Sequence, residues 1–412
     1  MPFPQSCSVS AADYSGFLAD QTSRIQAVLA RYLMTTEPYS NLLEGGTFAS
    51  QNGTQLLTVV PDRMVSNKSL VNPSLLPFTQ ICGFQGTAGA WGQHRYTAEL
   101  GYDRGRSPDI CVNDEFYVVK DSLRNAIQQL KDFTREYIMA DNRWQMMSRS
   151  GTKITLRAAA GVPADVISGG TIGSVDVNFP GGLPDCPLTY EFVKYLDIHI
   201  RETLAPDLFG DGAGEYAVLI TSAAQNERLR NEAGVRQDLL GMVIGGGAQE
   251  KALLKNYAFI DYPYRGLKAG IDWRPIRFNT VDLNGYPVPI EPYIAVAADT
   301  GLVNAVNPAW ALAQYEASAL VYKNTFRRVV PERFVGEGEA KFDPQFVMGE
   351  LNWHYVLDNQ CNVYGDFGFF KWQVIRGFQP IKPYLYIPIL HKRCAQPMGL
   401  QACENFPTSI SA

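Results

Sequence analysis

DSLRNAIQQLKDFTREYIMADNRWQMMSR, residues 121–149, is the stretch that decides the fold. Its apolar side chains recur at steps of three and four residues, which places them on one stripe of an α-helix. The stripe consists of Leu123, Ala126, Leu130, Phe133, Tyr137, Ala140, Trp144 and Met147. Asp121 or Ser122 can cap the start of this helix, and Gly151 can end it. The helix is about 43 Å long at about 1.5 Å per residue. Because only one stripe is apolar, we predict that it packs on a sheet of the same chain; a coiled-coil dimer is the less favoured alternative.

Before this helix, the sequence predicts an N-terminal arm and an extended hairpin. Residues 14–35 have loose helical spacing and predict one or two short helices, and Asn52-Gly53 between two β-rich runs is a hairpin signal. Residues 69–94 contain no Asp, Glu, Lys or Arg, and the run HRYTAELGYDRG after them alternates like a returning strand. The uncharged segment is too polar for a core strand and too apolar for a solvated loop, so we predict that it lies on another surface.

After the helix, short strands and two further helices predict an α+β fold. LTYEFVKYLDIHIRETLA and AQNERLRNEAGVRQDLLG are typical of helices, and EYAVLITS between them is typical of a buried strand. Residues 257–322 supply several short strands, and residues 278–322 contain no Lys or Arg. The C-terminal run from MGELNWHYVLDN to PYLYIPILHKRC predicts two or three strands that are dense in aromatic residues. Strands and helices that do not alternate strictly indicate α+β rather than α/β.

Composition excludes several classes of protein. The chain has 412 residues, of which 46% are hydrophobic and 19% charged, with a formal net charge of -5. This apolar fraction suffices for a packed core, and the acidic balance argues against a protein that works by neutralising nucleic-acid phosphates. The sequence contains no run of about 18 apolar residues, so no transmembrane helix is predicted. The N-terminus lacks a secretory signal, so we expect intracellular synthesis. We interpret the seven cysteines as reduced thiols, most of them buried: Cys7, Cys82, Cys111, Cys186, Cys361, Cys394 and Cys403.

No motif predicts a catalytic, cofactor or metal site. The GxxxxGK[ST] and GxSxG patterns are absent, Gly245-Gly246-Gly247 lacks a strand-to-helix dinucleotide context, and Asp366-Phe367-Gly368 lacks the other kinase motifs. Four scattered histidines, His94, His199, His354 and His391, form no metal-ligand spacing. We therefore predict no catalytic, cofactor-binding or metal-binding residue, although an α+β hydrolase or transferase with dispersed catalytic residues stays an alternative.

Clustered charges have a structural interpretation. The acidic cluster near the end of the uncharged loop could supply a general acid and base, but a charged collar where the loop rejoins the domain is the commoner arrangement. Its members are Glu99, Asp103, Asp114 and Glu115. The basic pairs do not extend into runs and predict surface charge or ion pairs between subunits. These pairs are Arg104/Arg106, Arg143/Arg149, Arg327-Arg328 and Lys392-Arg393.

The order of elements resembles the major capsid proteins of tailed bacteriophages, whose fold is named after phage Hong Kong 97. The likeness rests on GYDRGRSPDICVNDEF leading into the helix at 121–149, on YEASALVYKNTFRRVVP as the strand that closes an A-domain, and on FGFFKWQVIRGFQPIKPYLYIPILHKRC as the strands that rejoin the helix. The resemblance implies an N-arm at 1–43, an E-loop at 44–112, a P-domain with its spine helix at 113–175, an A-domain at 176–345 and the return of the P-domain at 346–412.

The resemblance also implies a non-enzymatic function and its partners. The expected function is a structural protein that self-assembles as pentamers and hexamers into the icosahedral shell around a double-stranded DNA genome, in the virion and after assembly in the host cytoplasm. Expected partners are copies of itself, a portal, a separate scaffolding protein and a cement protein, with DNA enclosed but not specifically bound. We expect no covalent cross-link through Lys68. An encapsulin-like nanocompartment shell is the alternative within the same fold.

Overall fold

The computed structural model describes residues 38–48, 55–61, 93–106, 110–111, 122–157, 166–168, 178–179, 181–210, 215–232, 259–261, 266–295, 304–331, 345–348, 351–357 and 367–393. Within them the helices are α1 (Pro38–Leu42), α2 (Ser122–Ser148), α3 (Tyr190–Leu204), α4 (Ala223–Asn231) and α5 (Pro308–Ala311). The first ten strands are β1 (Glu44–Phe48), β2 (Gln55–Pro61), β3 (Gln93–Arg106), β4 (Ile110–Cys111), β5 (Thr152–Thr155), β6 (Val166–Ser168), β7 (Phe209–Gly210), β8 (Glu215–Ser222), β9 (Phe259–Asp261) and β10 (Leu267–Asp272). The others are β11 (Arg277–Val281), β12 (Pro287–Ile290), β13 (Tyr293–Ala295), β14 (Asn304–Val306), β15 (Tyr315–Val321), β16 (Phe326–Pro331), β17 (Gln345–Met348), β18 (Leu351–Leu357), β19 (Phe367–Pro380) and β20 (Tyr386–Lys392).

The larger sheet is mixed and runs in the order β6-β5-β20-β15-β8-β10-β9. Strand β15 is antiparallel to both β20 and β8, whereas β10 is parallel to β8 and β5 is parallel to β20. The smaller sheet runs β1-β16-β19-β18-β17, with β3 and β4 also paired to β19. Helices and strands do not alternate along either sheet, so the predicted α+β class is confirmed.

The larger sheet is covered on both faces. Alternate residues of β8 point to opposite sides, so that Leu219 packs with α3 and α4 while Val218 packs with α2. The α3 side holds Phe192, Val193, Leu196, Ile200 and Leu229, and the α2 side holds Met139, Met146 and Met147. This three-layer arrangement explains why β8, β15 and β20 are rich in apolar residues and almost wholly buried.

Helix α2 lies where predicted, but its most buried face differs from the predicted stripe. Phe133 and Ala140 are exposed and Tyr137 is half-buried, whereas Ile138 and Met146 are buried. The buried face also carries polar residues, namely Thr134, Asn142, Arg143 and Ser148. Their burial is compensated by contacts within the chain: Asn142 donates a hydrogen bond to Ser40, and Arg143 forms an ion pair with Asp272. Among its members whose side chains the structure describes, the apolar stripe is therefore only partly buried.

Two of the predicted β-structures are wrong in their connections. Strand β1 pairs in parallel with β16 and β2 pairs antiparallel with β3, so residues 44–61 do not form a hairpin through Asn52-Gly53. The run at 315–331 is two strands in different sheets instead of one strand, because the chain turns at Asn324, whose φ of 59° is left-handed. Both errors concern pairing between distant segments.

Other predictions agree with the described elements or lie outside them. The returning strand β3, helix α3, buried strand β8 and three C-terminal strands are confirmed, and α4 confirms the start of its predicted helix. The predicted arm helices, Lys68, most of the uncharged loop, the cap at Asp121, Asp114, Glu115, the Gly245 triplet and Asp366 lie outside the described residues. The larger sheet joins strands from both sides of the predicted limit at 345, and the domain limits stay predictions.

Candidate functional site

A buried carboxylate, Asp272 at the end of β10, joins three elements. Its oxygens accept hydrogen bonds from Tyr39 Oη on α1 at 2.9 Å, from Arg143 Nη1 on α2 at 3.0 Å and from the backbone N–H of Arg274 at 2.9 Å. The side chains of Arg143 and Asp272 are only 9% and 3% exposed. Burial, followed by the charge of Asp272, raises the pKa of Tyr39 and keeps the phenol protonated. These contacts fix α2 against the larger sheet.

A second buried carboxylate, Glu316 on β15, contacts residues of β8, of β11 and of the segment after β20. Ser222 Oγ donates to it at 2.6 Å, and the Nε atoms of Arg277 and Arg393 each lie 3.7 Å from its second oxygen. Burial raises the pKa of Glu316, and burial together with repulsion from Arg393 lowers that of Arg277 to about 10. The Arg277 guanidinium also stacks on the Trp310 ring at 3.8 Å. The β11 strand and the C-terminal end of β20 are thus held to one buried acid.

Between these two anchors lies an open cleft of about 290 Å³, which we call the α2 cleft. Its walls are the exposed side of α2, the segment after β10, the end of β12 and helix α5. The lining residues are Tyr137, Ala140, Asp141, Arg143, Trp144, Arg274, Pro275, Ile276, Pro289, Ile290, Glu291, Pro292 and Trp310. Three aromatic and three proline side chains in so small a space make a surface suited to apolar side chains.

The charges around the α2 cleft are mostly paired within the chain. Arg274 forms an ion pair with Glu136 at 2.8 Å and lies over the Tyr293 ring at 4.3 Å, and Asp141 is paired with Arg376. No group of three or more metal-binding side chains occurs among the residues that the structure describes. The cleft therefore offers apolar contact area with a few fixed charges, and its chemistry is that of a binding surface.

A long two-stranded ribbon extends from the smaller sheet. Residues 100–106 of β3 pair with β19, while residues 93–99 pair with β2. Seven paired positions at about 3.4 Å each give the β2–β3 ribbon a length of about 24 Å. Within the described chain β2 pairs with no strand other than β3, so this ribbon continues past the sheet and leads into the uncharged loop.

One arrangement of side chains resembles a catalytic pair but is closed to substrates. Ser318 Oγ lies 2.7 Å from His391 Nε2, and His391 Nδ1 lies 3.2 Å from the carbonyl oxygen of Lys392. Both side chains are buried, and burial lowers the pKa of His391 to about 4. A nucleophile must reach its substrate and its base needs an orienting acid, so this pair is a core hydrogen bond.

The other candidate residues of the sequence do not assemble into a site. Of the four acids, the structure describes the side chain of Asp103, which is exposed and accepts from Tyr137 Oη at 2.7 Å. His199 is exposed on α3, and the side chains of His94 and His354 lie outside the description. Arg327 pairs with Glu44 at 2.9 Å, which joins β16 to β1. Cys186 is a half-buried free thiol, and burial raises its pKa. None of these residues lines the α2 cleft.

The cleft and the exposed hairpin formed by β11 and β12 were not predicted from the sequence. Asn284-Gly285 is the dipeptide that could have located this hairpin, since it favours a tight turn between strands. The cleft itself has no local signal, because its walls come from four separate segments.

In the part of the chain that the structure describes, no helix is long and apolar enough to cross a membrane.

Comparisons with known proteins find similarity at the level of structure. No protein-family model matches the chain, and no curated protein matches its sequence. The chain is similar to the capsid of Ralstonia phage GP4, with 10% identity, a TM-score of 0.48 and coverage of 87% of this chain and 91% of that one. It is also similar to the Cyanophage Pam1 capsid, with 11% identity, a TM-score of 0.46 and coverage of 84% and 88%. A third similar structure is the holo-SrpI encapsulin complex of Synechococcus elongatus PCC 7942, with 8% identity, a TM-score of 0.36 and coverage of 85% and 86%.

Proposed function

We propose that this chain is the major capsid protein of a tailed phage, a structural protein without enzymatic activity. Copies of it would assemble as pentamers and hexamers into the icosahedral head that encloses double-stranded DNA. The observation that carries this proposal is the β2–β3 ribbon of about 24 Å, which extends from the smaller sheet into a loop without any charged residue at 69–92. A ribbon that leaves its sheet and continues into an uncharged segment suits an extension that lies on a neighbouring subunit.

Three further properties support the proposal. The exposed apolar side chains of the α2 stripe and of the β11–β12 hairpin provide contact surface, and many modest contacts add up when symmetry repeats them. The net charge of -5 suits a container that does not grip DNA, because tight phosphate binding needs a basic surface. The Ser–His pair in the core is inaccessible, which supports a non-enzymatic role.

The proposal includes three further partners within a phage head. A portal occupies one vertex, a separate scaffolding protein guides closure, and a cement protein reinforces the outer surface. Assembly takes place in the host cytoplasm, and the mature location is the virion. Each partner is tested by co-expression, since a partner that matters changes the yield or the size of closed shells.

The main test is expression of the chain alone and with the scaffolding protein from its genome, followed by sedimentation and negative-stain microscopy. We expect rings and closed shells. A protein that stays a monomer or dimer at high concentration, with scaffold present, contradicts the proposal. Nuclease-protected double-stranded DNA in shells from infected cells distinguishes a phage head from a nanocompartment, whose shells would hold a protein cargo.

A loop variant tests the observation on which the proposal depends. Replacing residues 69–90 by a short Gly-Ser linker keeps β2 and β3 but removes the uncharged segment. The variant should fold and should fail to close shells. A linker variant that assembles like the wild type shows that the loop is not an assembly element, and a variant that unfolds shows that the loop belongs to the core.

A further inference from the structure

The β11–β12 hairpin, residues 277–290, has a tip that is closed by hydrogen bonds and presents an apolar side chain to solvent. The backbone N–H groups of Asn284 and Tyr286 both donate to Asp282 Oδ1, at 2.9 and 2.8 Å, and the Gly285 N–H donates to the Asp282 carbonyl oxygen. Gly285 has a φ of 81°, the left-handed conformation that closes such a turn. Leu283, at the apex, is fully exposed. A leucine held out by a fixed turn loses little conformational entropy when it binds.

The hairpin stands away from the sheet that carries it. Only Arg277 and Phe278 of β11 pair with β15, and within the described residues β12 pairs with β11 alone. Beyond that point its exposed apolar residues are Val281, Leu283, Tyr286 and Val288. The sole ionisable group among residues 278–290 besides the tyrosine phenol is the Asp282 carboxylate. The tip is therefore an apolar projection with one negative charge.

The α2 cleft on the same chain has the complementary properties. It is concave, has a volume of about 290 Å³, and is walled by Tyr137, Trp144, Trp310 and three prolines. The side chain of Arg274 is 31% exposed but already forms an ion pair with Glu136, so the cleft offers apolar contact rather than a free positive charge. The cleft also carries two acidic side chains: Glu291, and Asp141, which is paired with Arg376. An exposed apolar side chain such as Leu283 fits this cleft.

We propose that Leu283 of one copy inserts into the α2 cleft of a second copy of this chain. The inference rests on the proposed function, since it names the contact between neighbouring subunits within one ring. The apex at Leu283 and the cleft are separate surfaces, although Pro289 and Ile290 at the base of the same hairpin help to line the cleft. The contact is therefore heterologous and repeats head to tail. Contacts of this kind close into rings when the rotation between copies permits it, as pentamers and hexamers require.

Substitutions on each side of the contact test the proposal. Leu283→Ser removes the apolar apex, and Ala140→Trp fills the cleft from an exposed helix position. Leu204→Ser is the matched control, because Leu204 is an exposed leucine on α3, which does not line the cleft. In sedimentation velocity, we expect the first two variants to weaken ring formation at least tenfold and the control to leave it unchanged, with wild-type circular dichroism in all three.

Mixing the two defective variants provides the decisive result. Leu283→Ser retains an intact cleft and Ala140→Trp retains an intact apex, so a mixture has one competent contact per pair. We expect 1:1 dimers in the mixture and monomers in each separate variant. Wild-type rings from Leu283→Ser, or a mixture that contains only monomers, overturn the proposal. A wild-type chain that forms neither rings nor shells contradicts the proposed function instead, so the two failures are distinguishable.

Discussion

Replacing Asp272 by asparagine should destabilise the subunit far more than removing a single hydrogen bond. The carboxylate accepts from Tyr39, Arg143 and the backbone of Arg274, and it is the counter-ion of a guanidinium that is itself only 9% exposed. Asparagine is nearly isosteric and can still accept hydrogen bonds through its oxygen. It carries no charge, however, and its amide group would face the N–H donors of Arg143. The substitution therefore leaves a buried cation without compensation.

The expected loss follows from this geometry. Removing one partner of a buried ion pair costs about 3–5 kcal/mol, because the remaining charge can regain neither water nor a counter-ion. Tyr39→Phe deletes one hydrogen bond to the same carboxylate and should cost about 1.5 kcal/mol, since Arg143 continues to neutralise Asp272. The ratio between the two losses tests the charge argument independently of the absolute values.

The assay is urea unfolding of the unassembled subunit, isolated by size exclusion, because association stabilises the folded state by mass action. Circular dichroism reports on the helices and tryptophan fluorescence on the packing. Asp272→Asn should lower the midpoint strongly and Tyr39→Phe weakly, with similar slopes. A loss below about 1 kcal/mol for Asp272→Asn refutes the reasoning, since it means that water reaches Arg143. Equal losses for both variants refute it as well.

Three further effects are expected from single sites. His391→Gln removes a histidine whose pKa is lowered from 6.5 to about 4 in the folded state. The stability that comes from the neutral, buried imidazole is complete above pH 6.5 and is lost as the pH falls towards 4. In parallel urea titrations the wild type should therefore lose up to about 3 kcal/mol relative to the variant between pH 7 and pH 4. Thr189→Ala removes the cap that accepts from the Phe192 N–H and should cost about 1 kcal/mol by urea unfolding, with Thr189→Ser retaining most of the stability. Leu229→Ala empties a fully buried site beneath α4 and should lower stability by about 2–5 kcal/mol in the same assay, whereas an unchanged midpoint shows that α4 does not pack on the sheet.

The sequence identified the elements whose signals are local. Periodicity located α2 to within one residue of its observed ends, and the amphipathic pattern located α3. The apolar run of β8 predicted a buried strand, and the strand is buried because both faces of its sheet are covered. In each case neighbouring residues carry the whole signal.

What the sequence did not reveal depends on contacts between distant segments. The periodic stripe of α2 matches the buried face only in part: Met147 is buried, but Asn142 and Arg143 are polar and become buried only through partners such as Asp272, more than a hundred residues away. The division of 315–331 into two strands likewise depends on where Tyr322 is anchored, since its hydroxyl donates to Asp197 on α3. The α2 cleft is a product of the same long-range packing and had no local signal.

The buried ion pairs and the uncharged surfaces have a common consequence. Arg143 with Asp272, and Glu316 with two arginines, place charge inside the subunit, while residues 278–322 expose apolar side chains without any cation. A protein that remained alone in solution would gain from the opposite arrangement, with its charges in water and its apolar groups inside. The observed arrangement suits a subunit whose contacts with its neighbours provide the missing burial. Because excluded salts strengthen apolar burial and screen surface charges, sulfate should promote association of the wild type and should have less effect on Leu283→Ser.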